Sequence, residues 1–461
     1  MTNVTLEQYL RYWRGKQLAV LGLGVSNRPL VRLLLAGGCN VLGCDRTPRE
    51  KLDEEVLELE RLGCQLRVGE HYLDDLEAQV VFRTPGMHPD NPALRTLRQR
   101  GAEITSEMDI FFRCCPCPII AVTGSDGKTT TTTLIAEMLK AAGYTVHLGG
   151  NIGRPLLPDV EQMRPDHWAV VELSSFQLMD MTRSPHIAVV TNVAPNHLDV
   201  HKDMEEYILA KANIFHFQQP GDVVILNRDN DITRSFATQV PGTVRWFSRQ
   251  ERCAGLWLEG ETIFRATAGD PEKLMTRADI LLPGIHNTEN YMTAMAALEG
   301  LVKPEHFLAV ARHFGGVEHR IELVREVNGV RFYNDSIASS PTRTIAGLRS
   351  FPKKVILIAG GYDKHIPYDV LGPEICRHVK CLVTTGATGD KIRRATEEAE
   401  DYVPGQPAIF SQPEFDQAVM TAYAQAQPGD VVLLSPASAA FDQFKNFMVR
   451  GSHFKDLVMG L

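Results

Sequence analysis

The chain has 461 residues, 44% of them hydrophobic and 23% charged, with a formal net charge of −8. So long a chain exceeds what one core organises, and about 100–200 residues per domain points to three domains. The negative balance argues against a nucleic-acid binder working by phosphate neutralisation, and no run of about eighteen apolar residues offers a membrane span.

The N-terminus lacks the basic flank and apolar core of an export signal. Leu18 to Gly22 reads as a strand running into a glycine turn, Gly22-Leu-Gly24-Val25-Ser26-Asn27, with a helix to Ala36. Val41 to Gly43 is the next strand, with Asp45 at its end, the order of a Rossmann unit and its ribose-binding acid. The third glycine of that fingerprint is missing: Asn27 and Arg28 stand where it would close helix onto strand. NAD or FAD, a uridine or other nucleotide, and a purely structural α/β unit all stay open. Gln79 to Phe82 is a later strand whose turn, Arg83-Thr84-Pro85-Gly86, lies at the edge where such sheets bind ligands.

Nine scattered cysteines fit a reducing compartment, the cytoplasm by default. Cys114, Cys115 and Cys117 lack the paired spacing of a metal site and read better as a half-buried linker. A second domain opens there. Ile119 to Thr123 is a β-prone run, followed by Gly124-Ser125-Asp126-Gly127-Lys128-Thr129-Thr130 and a helical stretch from Thr132 to Ala142. Strand, glycine loop and helix N-terminus make a phosphate cradle. Backbone N–H groups turn inward, the helix dipole favours an anion, and Lys128 adds a point charge. Thr129 is placed to hold magnesium. The gap before Gly127-Lys128 is two residues rather than four, so the motif draws its weight from the strand and helix around it.

Two further strands deliver polar residues to the same rim: His167 to Leu173 with Glu172, and Ile187 to Thr191 followed by His197 and Asp199. Met204 to His216 reads as a helix with Lys211 among apolar neighbours, either inward and functional or simply exposed. Gly221 to Asn227 is strand-like, Asn227 to Asp231 a polar turn, and Gly242 to Phe264 alternates as short antiparallel strands would. Asn287 and Asn290 share one face ahead of an Ala-rich helix from Tyr291, as base ligands or as caps. A third domain begins near Gly315-Gly316. Its strands, Val330–Tyr333, Lys354–Ile358, Cys381–Thr384 and Val431–Leu434, each run into small or charged residues, the layout of a second ligand rim.

Seven ordered blocks together resemble the Mur ligases: Gly124-x-x-Gly127-Lys128-Thr129, Glu172-Leu-Ser-Ser-Phe, His197-Leu-Asp199, His286-Asn287-x-x-Asn290, His319-Arg320, Asn334-Asp335-Ser336 and Asp442-Gln-Phe-Lys-Asn-Phe447. The last block points to the members that add D-glutamate. The resemblance implies an α/β fold of three domains. Residues 1–113 would be a Rossmann-like UDP-sugar domain, 114–314 a P-loop ATPase domain with a mixed sheet, and 315–461 a Rossmann-like amino-acid domain. It implies an ATP-dependent amide ligase of bacterial cytoplasmic peptidoglycan synthesis, joining D-glutamate to UDP-N-acetylmuramoyl-L-alanine; a monomer is expected.

By the same resemblance, Gly22, Val25, Ser26, Asp45, Arg46, Thr84 and Gly86 meet uridine and diphosphate, and Asn151 lies near the muramoyl end and the transferring phosphate, among the catalytic residues. Gly124 to Thr130, Asn287, Asn290, Arg320 and Asp335 meet ATP. Lys128, Thr129, Glu172, His197 and Lys211 form the catalytic and metal group, with two magnesium ions and Lys211 carbamylated. Ser339, Lys364, Ala440, Phe441 and Phe447 meet the amino acid. Here the chain departs from the family pattern, with Ile337 for its lysine and Ala440 for its hydroxyl residue. Lys364 is then the expected main anchor. Another amino-acid ligase of the superfamily, or a non-catalytic nucleotide switch, are the alternatives.

Overall fold

Short apolar runs that end in glycine or a polar residue become strands, and the computed structural model, which describes residues 4–195 and 201–461, arranges them in three sheets. The chain divides into two compact units: Met1–Arg277 with Glu289–Val310, and Ala278–Thr288 with Ala311–Leu461.

The first unit holds two sheets. One is built from β1 (Gln17–Leu21), β2 (Asn40–Asp45), β3 (Gln65–Val68), β4 (Val80–Phe82) and β5 (Glu103–Thr105), all parallel, in the order β3-β2-β1-β4-β5. The order reverses at β1, so the turn after β1, the end of β2 and the turn after β4 face one crevice.

The other sheet begins with β6 (Ile119–Thr123), β7 (Val146–Gly150), β8 (Trp168–Glu172) and β9 (Ile187–Val190). It continues through β10 (Val223–Asn227), β11 (Thr243–Ser248), β12 (Gly255–Glu259), β13 (Thr262–Arg265) and β14 (Glu272–Thr276). Its order is β14-β13-β12-β11-β10-β9-β6-β8-β7. Every residue of β6 is buried, as a strand covered on both faces requires. Thr123 pairs with Val190, and Val122 with Glu172, so the ends of β6, β8 and β9 reach one rim. The expectation of antiparallel strands over Gly242–Phe264 is only half right. β11 runs parallel to both β10 and β12, and the antiparallel pairs are β12–β13 and β13–β14. Alternation reports one covered face, not strand direction.

The second unit holds β15 (Glu322–Val327), β16 (Val330–Asn334), β17 (Val355–Gly360), β18 (Val379–Thr385), β19 (Ala408–Ser411) and β20 (Val431–Leu434), ordered β15-β16-β20-β17-β18-β19. Only the β15–β16 pair is antiparallel. β20, last in sequence, inserts between β16 and β17, bringing Asp335, Gly361 and Ser435 to neighbouring strand ends.

Helix limits differ from the apolar pattern at their N-termini. The cradle helix is Lys128–Ala141, and the helix expected from Tyr291 starts at Ile285. The polar turn at Asn227 leads into Asp231–Phe236, whose N-cap Asn230 accepts from the Thr233 N–H. Cys114 closes the helix Glu107–Cys114, and Cys115 and Cys117 are buried with sulfurs 3.4 Å apart.

Arg83, just beyond β4, is 1% exposed. Its guanidinium donates twice to the Asp180 carboxylate, at 2.9 and 2.5 Å, and also to the carbonyls of Met87 and Phe176. It thereby ties the first sheet to the segment after β8. Arg83→Leu strands that carboxylate and should cost about 3 kcal/mol of stability. Urea unfolding of the two proteins checks this.

Candidate functional site

The phosphate loop follows β6 and is held from several sides. Gly124 and Gly127 have φ of 147° and 77°. A Cβ on Gly124 would lie 1.9 Å from Thr191 Oγ1, and one on Gly127 2.4 Å from Asn290 Oδ1, so only glycine fits either place. The Ser125 N–H donates to the Asn192 carbonyl, the Asp126 N–H to Asn192 Oδ1, and Thr191 Oγ1 to the Asp126 carbonyl. Ser125 Oγ lies 3.0 Å from the Tyr207 hydroxyl. Sequence reading passed over Thr191, Asn192 and Tyr207. The only signal was a polar pair at the end of a buried strand.

Lys128 Nζ donates to the carbonyls of Gly124 and Ser125, each at 3.0 Å, folding back over its own loop. Thr129 Oγ1 donates to Glu172 Oε2 at 2.7 Å, and Asn151 Nδ2 to Glu172 Oε1 at 2.7 Å. Glu172 is thus gripped at both oxygens. Thr130 is buried on the cradle helix, and Asn290 accepts from Thr131 Oγ1 at 3.3 Å.

Lys211, left open between inward and exposed, is 1% exposed, and its Nζ donates to the Gly124 carbonyl at 2.8 Å. Burial, joined by the nearby charge of Lys128, holds its pKa well below the ordinary lysine range, against the pull of Asp126 and Glu172. His197 lies outside the described residues.

These residues fit the groups expected of them. The cradle lies at a helix N-terminus, where Gly124 and Gly127 carry no side chain. Hydroxyl, carboxylate and amide oxygens suit magnesium. A buried amine driven towards neutrality suits addition of carbon dioxide.

At the first sheet, the turn closes without its third glycine. Asn27, buried, donates to the carbonyls of Leu21 and Gly22 at 3.1 and 2.9 Å, and Arg28 donates to that of Leu23 at 2.8 Å. Gly22 has φ 81°, and a Cβ there would meet Thr84 at 3.1 Å. Asp45 accepts from the N–H groups of Leu23 and Thr47. Burial raises its pKa, but those donors win and hold it below the usual range. Val25 is 74% exposed, and Ser26, Arg46 and Gly86 are exposed around the same crevice. Between the two sheets, Ser26, Asn27, Arg83, Glu107, Gly150 and Gln177 are among the residues lining a cleft.

In the second unit, Asn287 Nδ2 donates to the Pro283 carbonyl, and Asp335 is buried against Ser435 Oγ at 2.7 Å. Burial pushes the Asp335 pKa up to about 7 despite that hydroxyl and the charge of Arg320. Arg450, buried and missed by the sequence reading, donates to Ser336 Oγ and to the carbonyls of Ser336, Ser438 and Ala439. It ties the loop after β16 to the one after β20. Ser339 is half-buried, Lys364 exposed, and Ala440 buried. Phe441 is 61% exposed, with Tyr362 edge-on at 5.8 Å, and Phe447 stands edge-on to His319 at 6.0 Å.

Sheet order and cradle define a multidomain α/β protein organised about a phosphate loop. Residues 122–298 match the Mur ligase middle domain, and residues 319–438 the Mur ligase glutamate ligase domain. A UDP-N-acetylmuramoylalanine–D-glutamate ligase of Acetivibrio thermocellus is 50% identical over 99% of both chains. One of Clostridium novyi is 47% identical over 99% of both. The solved UDP-N-acetylmuramate-alanine ligase of Thermotoga maritima shares the fold, with a TM-score of 0.59 at 17% identity, covering 96% of this chain and 99% of that one. The chain belongs to the Mur ligase family.

Two outcomes follow from the cradle. Gly127→Ala, strained at its positive φ and pressed on Asn290, should weaken binding of a non-hydrolysable ATP analogue roughly tenfold or more by calorimetry. Lys211→Met should stabilise the protein at pH 7 in carbon dioxide-depleted buffer. Below its ordinary pKa of about 10.4 the unfolded chain binds a proton that the folded one resists, so wild-type stability rises with pH. The advantage of the methionine variant should therefore shrink as pH rises towards that value, as denaturation at stepped pH would reveal.

Proposed function

We propose that this protein is an ATP- and magnesium-dependent ligase that adds D-glutamate to UDP-N-acetylmuramoyl-L-alanine, acting as a monomer in the bacterial cytoplasm. The observation that carries this reading is the meeting of Lys128, Lys211 and the Thr129–Glu172–Asn151 chain at one rim. It is supported by relatives of that name that are about half identical along nearly the whole chain.

The acceptor's terminal carboxylate attacks the γ-phosphorus of ATP, releasing ADP and leaving an acyl phosphate. The amine of D-glutamate attacks the acyl carbon, phosphate departs, and the ammonium proton is lost to solvent. Two anions must be brought together, so cations decide the rate. Lys128, close to the loop carbonyls at rest, has a flexible stem able to turn onto the transferring phosphoryl oxygens. Thr129, Glu172, His197 and carbamylated Lys211 would hold two magnesium ions, which neutralise phosphate charge and orient the oxygens. Carbamylation turns a repelling ammonium into an anionic oxygen ligand, and burial of the amine prepares it. Asn151 steadies Glu172 and faces the muramoyl end.

The uridine and diphosphate fall to Gly22, Val25, Ser26, Asp45, Arg46, Thr84 and Gly86. Adenine, ribose and phosphate fall to Asn287, Asn290, Arg320 and Asp335. The amino acid falls to Lys364, Ser339, Ala440, Phe441 and Phe447. Because Ile337 stands where the family pattern has a lysine, Lys364 supplies the main charge for the side-chain carboxylate, and backbone N–H groups around Ala440 and Phe441 stand in for the missing hydroxyl. On this reading the three sheets correspond to three domains, 1–113, 114–314 and 315–461.

Phosphate release measured with the UDP-sugar and a panel of D- and L-amino acids tests the assignment. D-glutamate should lead; preference for L-alanine, L-lysine or meso-diaminopimelate would place the chain in another branch of the family. Lys364→Ala should raise the KM for D-glutamate at least roughly tenfold, the weight of one charged contact, while UDP-sugar binding holds. Lys211→Ala should lose most activity and regain part of it with added short carboxylic acids.

A further inference from the structure

Outside the residues given roles above, one buried cluster in the first unit stands out for its unmet polar atom. His201 has a fully buried side chain at the entry to the helix Met204–His216. Its Nε2 lies 2.9 Å from Ser175 Oγ. The ring stacks on Phe176, centroids 5.2 Å apart at 10°, and meets Tyr207 edge-on at 5.1 Å. Among the described residues Nδ1 makes no hydrogen bond, and it faces Glu206 Oε2 at 3.5 Å. Glu206 in turn accepts from the Lys202 N–H, pairs with Lys202 Nζ, and lies 3.3 Å from His88 Nε2.

Simple space filling does not call for an imidazole here. A phenylalanine would stack as well between Phe176 and Tyr207 and would bury no unmatched nitrogen. What the imidazole adds is the contact to Ser175, and the two flanks of that contact lead to the site. Ser175 lies three residues beyond Glu172. Tyr207 lies one turn before Lys211 on the same helix face, with its hydroxyl on Ser125 of the cradle and its ring 4.6 Å from Lys211 Nζ.

Resting on the ligase reading above, we propose that His201 is a positioning residue: joined to Ser175 through Nε2 and packed on Tyr207, it fixes the separation of Glu172 and Lys211. It touches neither substrate nor nucleotide. Glu206 aims the ring from the far side, and His88, on the loop after β4, shares that carboxylate.

The experiment compares wild type with His201→Phe, His201→Gln, His201→Asn and Ser175→Ala in the phosphate-release assay, with Tm measured for each. Wild type must first form the amide; if it does not, the ligase reading fails and this inference goes with it. Given an active wild type, H201F keeps the stack but loses the nitrogen. It should lower kcat roughly ten- to a hundredfold, the scale of a small misplacement of reacting groups, with the KM for D-glutamate within about twofold and Tm nearly unchanged. H201Q places an amide where Nε2 stood and should recover most of kcat. H201N reaches only the Nδ1 position and should not. Ser175→Ala should match H201F and add nothing to it in the double variant, and it carries the same expectation should H201F fail to fold. Unchanged kcat in H201F and Ser175→Ala, recovery by H201N rather than H201Q, or a loss of activity that tracks a fall in Tm would each overturn the proposal.

Discussion

The carbonyl of Gly124 accepts from two lysine side chains, Lys128 at 3.0 Å and Lys211 at 2.8 Å. Much of the first unit is arranged around the consequence. Burial penalises the charged form of Lys211, the nearby charge of Lys128 adds to that, and the pKa of Lys211 falls well below the ordinary lysine range. Glu172 and Asp126 oppose the shift from the cradle side but do not cancel it. The loop bearing that carbonyl cannot relax away, because Thr191, Asn192 and Tyr207 hold it through backbone and hydroxyl contacts. A site that sets two lysine side chains on one loop carbonyl, one of them buried and driven towards neutrality, suits chemistry that must gather anions.

The crevice of the first sheet solves a related problem by different means. A third glycine would let helix and strand approach closely; this chain instead spends an asparagine side chain on the carbonyls of Leu21 and Gly22. Asp45, which an NAD site would leave free for ribose, is engaged by the N–H groups of Leu23 and Thr47. The turn is therefore stiff before any ligand arrives, with Val25 left exposed at its tip. Pre-organisation of this kind lowers the entropy lost on binding.

In the second unit, Arg450 plays the part of an internal strut. Its guanidinium donates to carbonyls and a hydroxyl, and burial brings its pKa down to about 10 although Asp442 pulls the other way. The loops it joins carry Ser336 and Ala439–Ala440, beside residues assigned to the amino acid. Ala440 thus sits next to a backbone held at Ser438 and Ala439.

How much of this was legible in the chain follows from the range of the forces involved. Local signals were enough for the strand–glycine loop–helix at Ile119–Ala141, for the helix Met204–His216, and for polar residues at strand ends, since each rests on periodicity or on the φ preference of glycine. Alternation over Gly242–Phe264 carried no information on direction, which depends on which strand is adjacent. The buried state of Lys211, the grip of Asn151 and Thr129 on Glu172, and the reach of Arg83 and Arg450 between distant loops were decided only in three dimensions. Each joins residues tens to more than a hundred positions apart, and desolvation and hydrogen bonding act on distance in space, not along the chain.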